Sequence, residues 1–308
     1  MAEIIQRDGT WAFDGSTVRI TPGLHRSVPL FRRACGEIAV PLEAVSGVDH
    51  EPDGGRGRLR LRLRAGADPL LEATGGRLPE AADPYRLRLD PRRSAAAGYL
   101  AGEIRRALLL DRVPTGPAGS YLLAGPPVPV SVRTSDGTVS FDGARVRIDW
   151  AATSDRAKRA LGPRVIALGD LTAVQWRPTS PRAEGLLRFV TRETAVRALP
   201  PERDPGALDL WGSARRDLLT ALVAAAVTAR LPHPSTRAAG PPPGRRGRPL
   251  VPSARTGRHD VLLRRLRALG ELHRDGVLTD EELARTRAAV LRGSASAAAG
   301  APAEGTVS

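Results

Sequence analysis

One stretch of this chain occurs twice, and the duplication constrains the fold more than any other feature. Residues 4–20 and 132–148 align without a gap, and nine of the seventeen positions are identical. Asp8-Gly9-Thr10, Phe13-Asp14-Gly15 and Val18-Arg19-Ile20 return as Asp136-Gly137-Thr138, Phe141-Asp142-Gly143 and Val146-Arg147-Ile148. A match of that length means two copies of one structural unit. Asp-Gly flanked by alternating apolar residues is a hairpin signal, because glycine takes a positive φ without steric penalty and aspartate tolerates it. A two-residue turn at Asp14-Gly15 sets Phe13 opposite Ser16, Trp11 opposite Val18 and Gly9 opposite Ile20. The copy sets Phe141 opposite Ala144 and Val139 opposite Val146. Either way one face of the ribbon is apolar and covers a core. The earlier pair of Asp-Gly steps, at 8–9 and 136–137, predicts a second tight turn and hence a three-stranded meander.

The remainder of each copy follows the same order. Ile38–Val40 and Ala44–Val48 read as short strands broken at Pro41, and Val165–Leu168 and Leu171–Val174 correspond to them. Arg58 to Arg64 alternates arginine and leucine strictly, which predicts an amphipathic strand. Leu186–Val190 matches it in the copy. Tyr85–Leu89 and Ala207–Trp211 give one more strand each. A helix closes each copy, from about Ser94 to Leu110 with Leu100, Ile104, Ala107 and Leu108 on one face, and from about Ser213 to Leu231. The expected fold class is therefore α+β, mostly β. It consists of two tandem antiparallel barrels or sandwiches, each plugged by a C-terminal helix in the manner of pleckstrin-homology domains, and a C-terminal two-helix hairpin.

The expected divisions are a first repeat at 1–111, a linker at 112–127, a second repeat at 128–232, a disordered Pro/Gly/Arg tether at 233–258, a helical hairpin at 259–293 and a disordered tail at 294–308. The tether cannot bury enough apolar surface to fold alone. In the hairpin, Leu262, Leu266 and Leu269 line one helix and Leu283, Val290 and Leu291 the other. Thr279 is a good N-cap, with Glu282 completing a capping box.

Composition enters through charge. The formal net charge is +14, which raises nucleic acid or an anionic membrane as a partner. Yet all but one of the 47 basic residues are arginine, Lys158 being the exception. With abundant Ala, Gly and Pro, that bias points to a GC-rich coding sequence, so the charge reflects codon supply as well as chemistry. The single cysteine, Cys35, excludes an intramolecular disulfide and is compatible with a reducing compartment. The start of the chain lacks the layout of a signal peptide, and the longest apolar run, Leu218 to Ala229, is too short to span a bilayer. A cytoplasmic location is expected, with no transmembrane segment.

The helical hairpin resembles the short C-terminal domain called SHOCT. The resemblance is carried by Leu262 to Leu291, above all by Gly276-Val277-Leu278-Thr279-Asp280-Glu281-Glu282, although Leu283 stands where that family usually has an aromatic residue. The two repeats resemble the actinobacterial domain of unknown function 4429, through the Gly-Thr-x-x-Phe-Asp-Gly hairpin, the strand order and the closing helix. The resemblances imply self-association or partner docking through Leu262, Leu266, Leu269, Leu283 and Leu291. They imply no enzymatic activity.

The residues offer no catalytic constellation either. The five histidines lack metal-ligand spacing, Asp53-Gly54-Gly55-Arg56-Gly57 lacks the ending of a phosphate loop, and no cofactor is expected. Cys35 beside Arg32 and Arg33 has the setting for a lowered pKa, though a lone thiol is more often structural. Two arginine groups are candidates for anions. Arg58, Arg60, Arg62 and Arg64 lie on one strand face, where a solvated surface competes with recognition of an anionic lipid. Arg246-Gly247-Arg248-Pro249 matches the core of a minor-groove DNA hook. The expected function is a non-enzymatic binding or scaffold protein. The alternatives are a DNA-associated protein using Arg246 and Arg248, and a module binding anionic lipid.

Overall fold

The repeated stretch folds as β1 (Ala2–Gln6), β2 (Gly9–Phe13) and β3 (Thr17–Pro22), with β1 pairing β2 and β2 pairing β3, all antiparallel. The computed structural model describes residues 1–51, 57–180, 185–192 and 199–238, together with Asp280 and Ala284. The apolar face forms as expected, but the register differs by two residues. Phe13 lies opposite Val18 and Trp11 opposite Ile20. The turn is longer because the Asp14 carboxylate accepts from the backbone N–H groups of Ser16 and Thr17, at 2.9 and 2.8 Å. This local bond opens the tip to four residues, and the shift of two keeps every side chain on its face. Gly15 sits at φ 99. The copy does the same: Phe141 lies opposite Val146, and Asp142 accepts from Ala144 and Arg145. Gly9 and Gly137 have a separate reason to be glycine. A Cβ on either would meet the carbonyl oxygen of the neighbouring strand, Thr21 or Asp149, at 2.5 Å.

Next come α1 (Leu30–Cys35), β4 (Ile38–Pro41), β5 (Val45–Glu51) and β6 (Arg58–Leu63). The first repeat finishes with α2 (Pro69–Thr74), β7 (Arg86–Arg88) and α3 (Ser94–Leu110). Strands β1 to β4 make one sheet and β5 to β7 another, and a 3-10 turn at Leu42–Ala44 carries the chain between them. Trp11, Phe13, Val18 and Ile20 from the first sheet share a core with Val48, Leu59, Leu61 and Leu87 from the second. Leu100 and Ile104 of α3 close that core.

The second repeat contains β8 (Val130–Arg133), β9 (Gly137–Phe141), β10 (Arg145–Trp150), α4 (Arg156–Ala160) and β11 (Arg164–Ala167). It continues with β12 (Leu171–Arg177), β13 (Gly185–Thr191) and β14 (Ala207–Leu210). Again four strands form one sheet and three another. Among the described residues, the ladders of neither repeat run round a closed barrel. The closing helix is in two pieces, α5 (Ala214–Asp217) and α6 (Thr220–Thr228), and α7 (Pro234–Ala238) follows.

Two segments that the sequence leaves slack are packed. Within 112–127, Ala118 and Leu123 are buried in the first core, and Leu122 and Leu123 both donate to the Ala67 carbonyl. Within the stretch expected to be a tether, His233 is buried. Its Nε2 lies 2.9 Å from the Gly66 carbonyl, and its ring meets Tyr121 edge-on at 4.7 Å. Ser235 donates to the Gly119 carbonyl. The chain thus leaves the second repeat and is fastened to the first by specific partners that local sequence does not announce.

Candidate functional site

The unexpected construction is the seam between the repeats. Asp68 caps α2, accepting from the N–H groups of Leu70 and Leu71, and Pro69 occupies the first helical position. Gly75 ends the helix in the left-handed conformation. This short helix lies along α6 of the second repeat. Its Leu70 and Ala73 belong to the second repeat's core, as do Phe31 of α1 and Ala82. Gly125 fits into the same junction, with Pro69 on one side and Ala225 and Ala229 on the other. All nine residues of α6 are buried, although the helix has no polar face. A helix apolar all round must be covered on both sides, and here its own sheets cover one side and the first repeat the other.

The electrostatics of the seam are those of a closed interior. Asp68 is buried and receives a 2.8 Å hydrogen bond from the Tyr85 hydroxyl. Burial outweighs its three donors and pushes its carboxyl up to about 6. Tyr85 is raised well above the usual phenol value, by its own burial and then by Asp68. Cys35 is pushed up to about 12, because burial and nearby Asp68 outweigh Arg32. The thiol is therefore the reverse of the activated one that its arginine neighbours suggested in sequence. Asp217, at the far end of the seam beside Pro79, Pro178 and Leu218, is raised by burial.

The strand carrying Arg58, Arg60 and Arg62 forms, with Leu59 and Leu61 buried behind it and Arg64 just past its end. The four arginines are not equivalent. Arg58 pairs with Glu51 and Glu80, at 3.4 and 2.9 Å, and Arg62 pairs with Asp49 at 3.2 Å. Arg64 is turned onto the backbone and donates to the carbonyls of Glu43, Gly116 and Pro117. Arg60 is exposed beside Asp49, Glu51 and Arg86. The face is thus a mixture of charges rather than a ridge of positive charge. Arg246 and Arg248 lie outside the described residues, as do Leu262, Leu266, Leu269, Leu283 and Leu291.

Two cation–carboxylate pairs, unread in the sequence, occupy matching places, the first buried on both sides and the second with a half-buried aspartate. Lys158 of α4 meets Asp136, and Arg32 of α1 meets Asp8 at 4.0 Å. In each, the aspartate opens a repeated Asp-Gly step and the cation comes from the helix between the third and fourth strands. The available signal was Lys158 itself, the one lysine among so many arginines. Among the described residues, no three His, Cys, Asp or Glu side chains are grouped to hold a metal ion. No helix of the described residues is long and apolar enough to cross a membrane.

No curated protein matches this chain. Residues 11–105 and 139–228 both match the family described as a domain of unknown function, DUF4429. The two matched segments begin in the duplicated hairpin and end in α3 and α6, so each holds one set of strands with its closing helix. The chain belongs to the DUF4429 family, and it carries that domain twice.

Proposed function

We propose that this protein is a non-enzymatic scaffold. In this reading the two repeats form one platform of pleckstrin-homology-like modules, and the SHOCT-like segment at 259–293 joins copies or docks a protein partner. The reading rests chiefly on the seam. The ionisable groups with displaced pKa values there serve to build the junction: Asp68 caps α2, Tyr85 bonds to Asp68, and Cys35 is held as a neutral thiol. Among the described residues, seven strands precede the closing helix of each repeat, which favours the pleckstrin-homology comparison. A tethered module on a fixed platform raises local concentration without new contacts at the primary site. The cytoplasm is the compartment that suits a single unpaired thiol.

Light scattering on the full chain and on a version ending at Arg258 tests the reading. A larger mass per chain for the full-length protein supports assembly through the C-terminal segment. Equal masses remove self-association through that segment and leave hetero-docking by Leu262, Leu266, Leu269, Leu283 and Leu291. Anion recognition is the weaker reading, since three of the four stripe arginines are engaged within the fold. DNA association through Arg246 and Arg248 is separable by titrating A·T-rich and G·C-rich duplexes at two salt concentrations.

A further inference from the structure

The outer face of α3 is exposed where its sister is covered. Tyr99 is 64% and Leu109 78% exposed, and Ala95, Gly102 and Arg106 lie in the same stripe at helical spacing. Setting the ends of the two matched segments, Arg105 and Thr228, side by side puts Tyr99 opposite Leu222 and Gly102 opposite Ala225. Leu222 and Ala225 are buried, and α2 of the first repeat lies along their helix. The fold therefore uses this face of a closing helix for packing. α2 is spent on α6, and no described residue fills the space over Gly102, where a Cβ would meet nothing within 4 Å.

We propose that the outer face of α3 is a homodimer interface, packing antiparallel against α3 of a second copy about a two-fold axis at Gly102. The stripe is its own complement to within one residue under that operation, as an isologous interface requires. Ala95 falls opposite Leu109 of the second copy, so small meets large. Tyr99 falls level with Arg105 of the second copy and one residue's rise from Arg106, which places a guanidinium beside an aromatic ring twice. Glu103, which holds Arg106 at 2.9 Å within one chain, stands between these two pairs and adds the opposite charge. Glycine at the crossing point lets the backbones approach closely. A single helix pair of this length lies near the lower size limit of specific interfaces, so the dimer is a weak, concentration-dependent one.

The crossing point supplies the test. Helices of radius about 2.3 Å packed about 8–10 Å apart bring facing Cα atoms within disulfide reach. The full chain carrying Gly102→Cys is oxidised mildly and run without reductant, alongside Gly169→Cys, an equally exposed and unobstructed position away from α3. Cys35 stays silent because its thiol is partly buried and pushed up to about 12. The expected result is a covalent dimer for Gly102→Cys, little for Gly169→Cys, and loss of the dimer when Leu109→Glu is added. Equal crosslinking at the two positions, or crosslinking indifferent to Leu109→Glu, overturns the proposal. Light scattering of the wild-type chain against Leu109→Glu alone, over a concentration series, gives an independent reading. A mass that does not differ between them also overturns it. Association through the C-terminal segment survives Leu109→Glu and is lost on ending the chain at Arg258, so the two assemblies fail separately.

Discussion

Lys158 donates a 2.7 Å hydrogen bond to Asp136, and both side chains are buried in the second repeat. The ammonium also donates to the Ala207 carbonyl at 2.9 Å and stands 4.9 Å from the centre of the Trp150 ring. The pair ties α4 to the turn before β9 and, through Ala207, to β14 of the other sheet. Asp136 additionally accepts from the Asp209 N–H. A compact ammonium fits this enclosure, whereas a planar guanidinium needs more room and five partners. That requirement accounts for the one lysine in a chain otherwise supplied with arginine.

Removing Lys158 should be severe. Lys158→Met leaves a buried carboxylate without its cation and is expected to destabilise by about 3–5 kcal/mol. Lys158→Arg keeps the charge but overfills the site, with an expected loss of about 1–3 kcal/mol. Urea denaturation of the three proteins checks both, and an Asp136→Asn/Lys158→Met double variant should recover part of the first loss.

Asp68 makes stability depend on pH in an unusual direction. Its folded pKa is about 6 against an ordinary value of 3.8, so the folded state holds the proton more tightly. Stability is then greatest below the ordinary value and falls as pH rises from roughly 4 through about 6. The full displacement corresponds to a contribution of about 3 kcal/mol. Denaturation midpoints across that window, compared with Asp68→Asn, measure it. The variant should flatten this part of the profile, and a profile unchanged by the substitution contradicts the assignment.

The arginine stripe should separate into unequal members. Arg64→Ala loses donors to three carbonyls and is expected to destabilise by about 1–3 kcal/mol, while Arg60→Ala should stay within about 0.5 kcal/mol of the parent. Thermal unfolding distinguishes them, and equal shifts would contradict the described roles.

Cys35 should resist modification. With its thiol pushed up to about 12, almost no thiolate exists at pH 8. Iodoacetamide should label the native protein slowly and the urea-unfolded protein rapidly, as followed by intact mass.

The parts of the fold legible in sequence were those written in short-range pattern. Period-2 alternation gave β6, and the helical spacing of Leu100 and Ile104 gave α3. Turn length escaped because an aspartate side chain, not the Asp-Gly step alone, set the tip. The seam was hardest to read. Asp68-Pro69 and Gly75 are proper start and stop signals, but six residues are too few to show a face. That α2 meets α6 is a tertiary event, and its trace in sequence was indirect: Thr220 to Thr228 has no polar face, so a second cover was needed. The stripe illustrates the opposite error. Alternation set Arg58, Arg60 and Arg62 along the strand, which ends before Arg64, but could not show that Glu51, Glu80, Asp49 and three backbone carbonyls engage Arg58, Arg62 and Arg64.

The account holds that the two repeats form one cooperative body because α2 of the first completes the core of the second. Scanning calorimetry on the wild-type chain and on Leu70→Asp tests this most directly. A charge at Leu70 should open the seam while leaving each repeat's own sheets in place. The account predicts one transition for the wild type and two separated transitions for the variant. Two transitions in the wild type, or a variant that still unfolds in one step at an unchanged temperature, would contradict it.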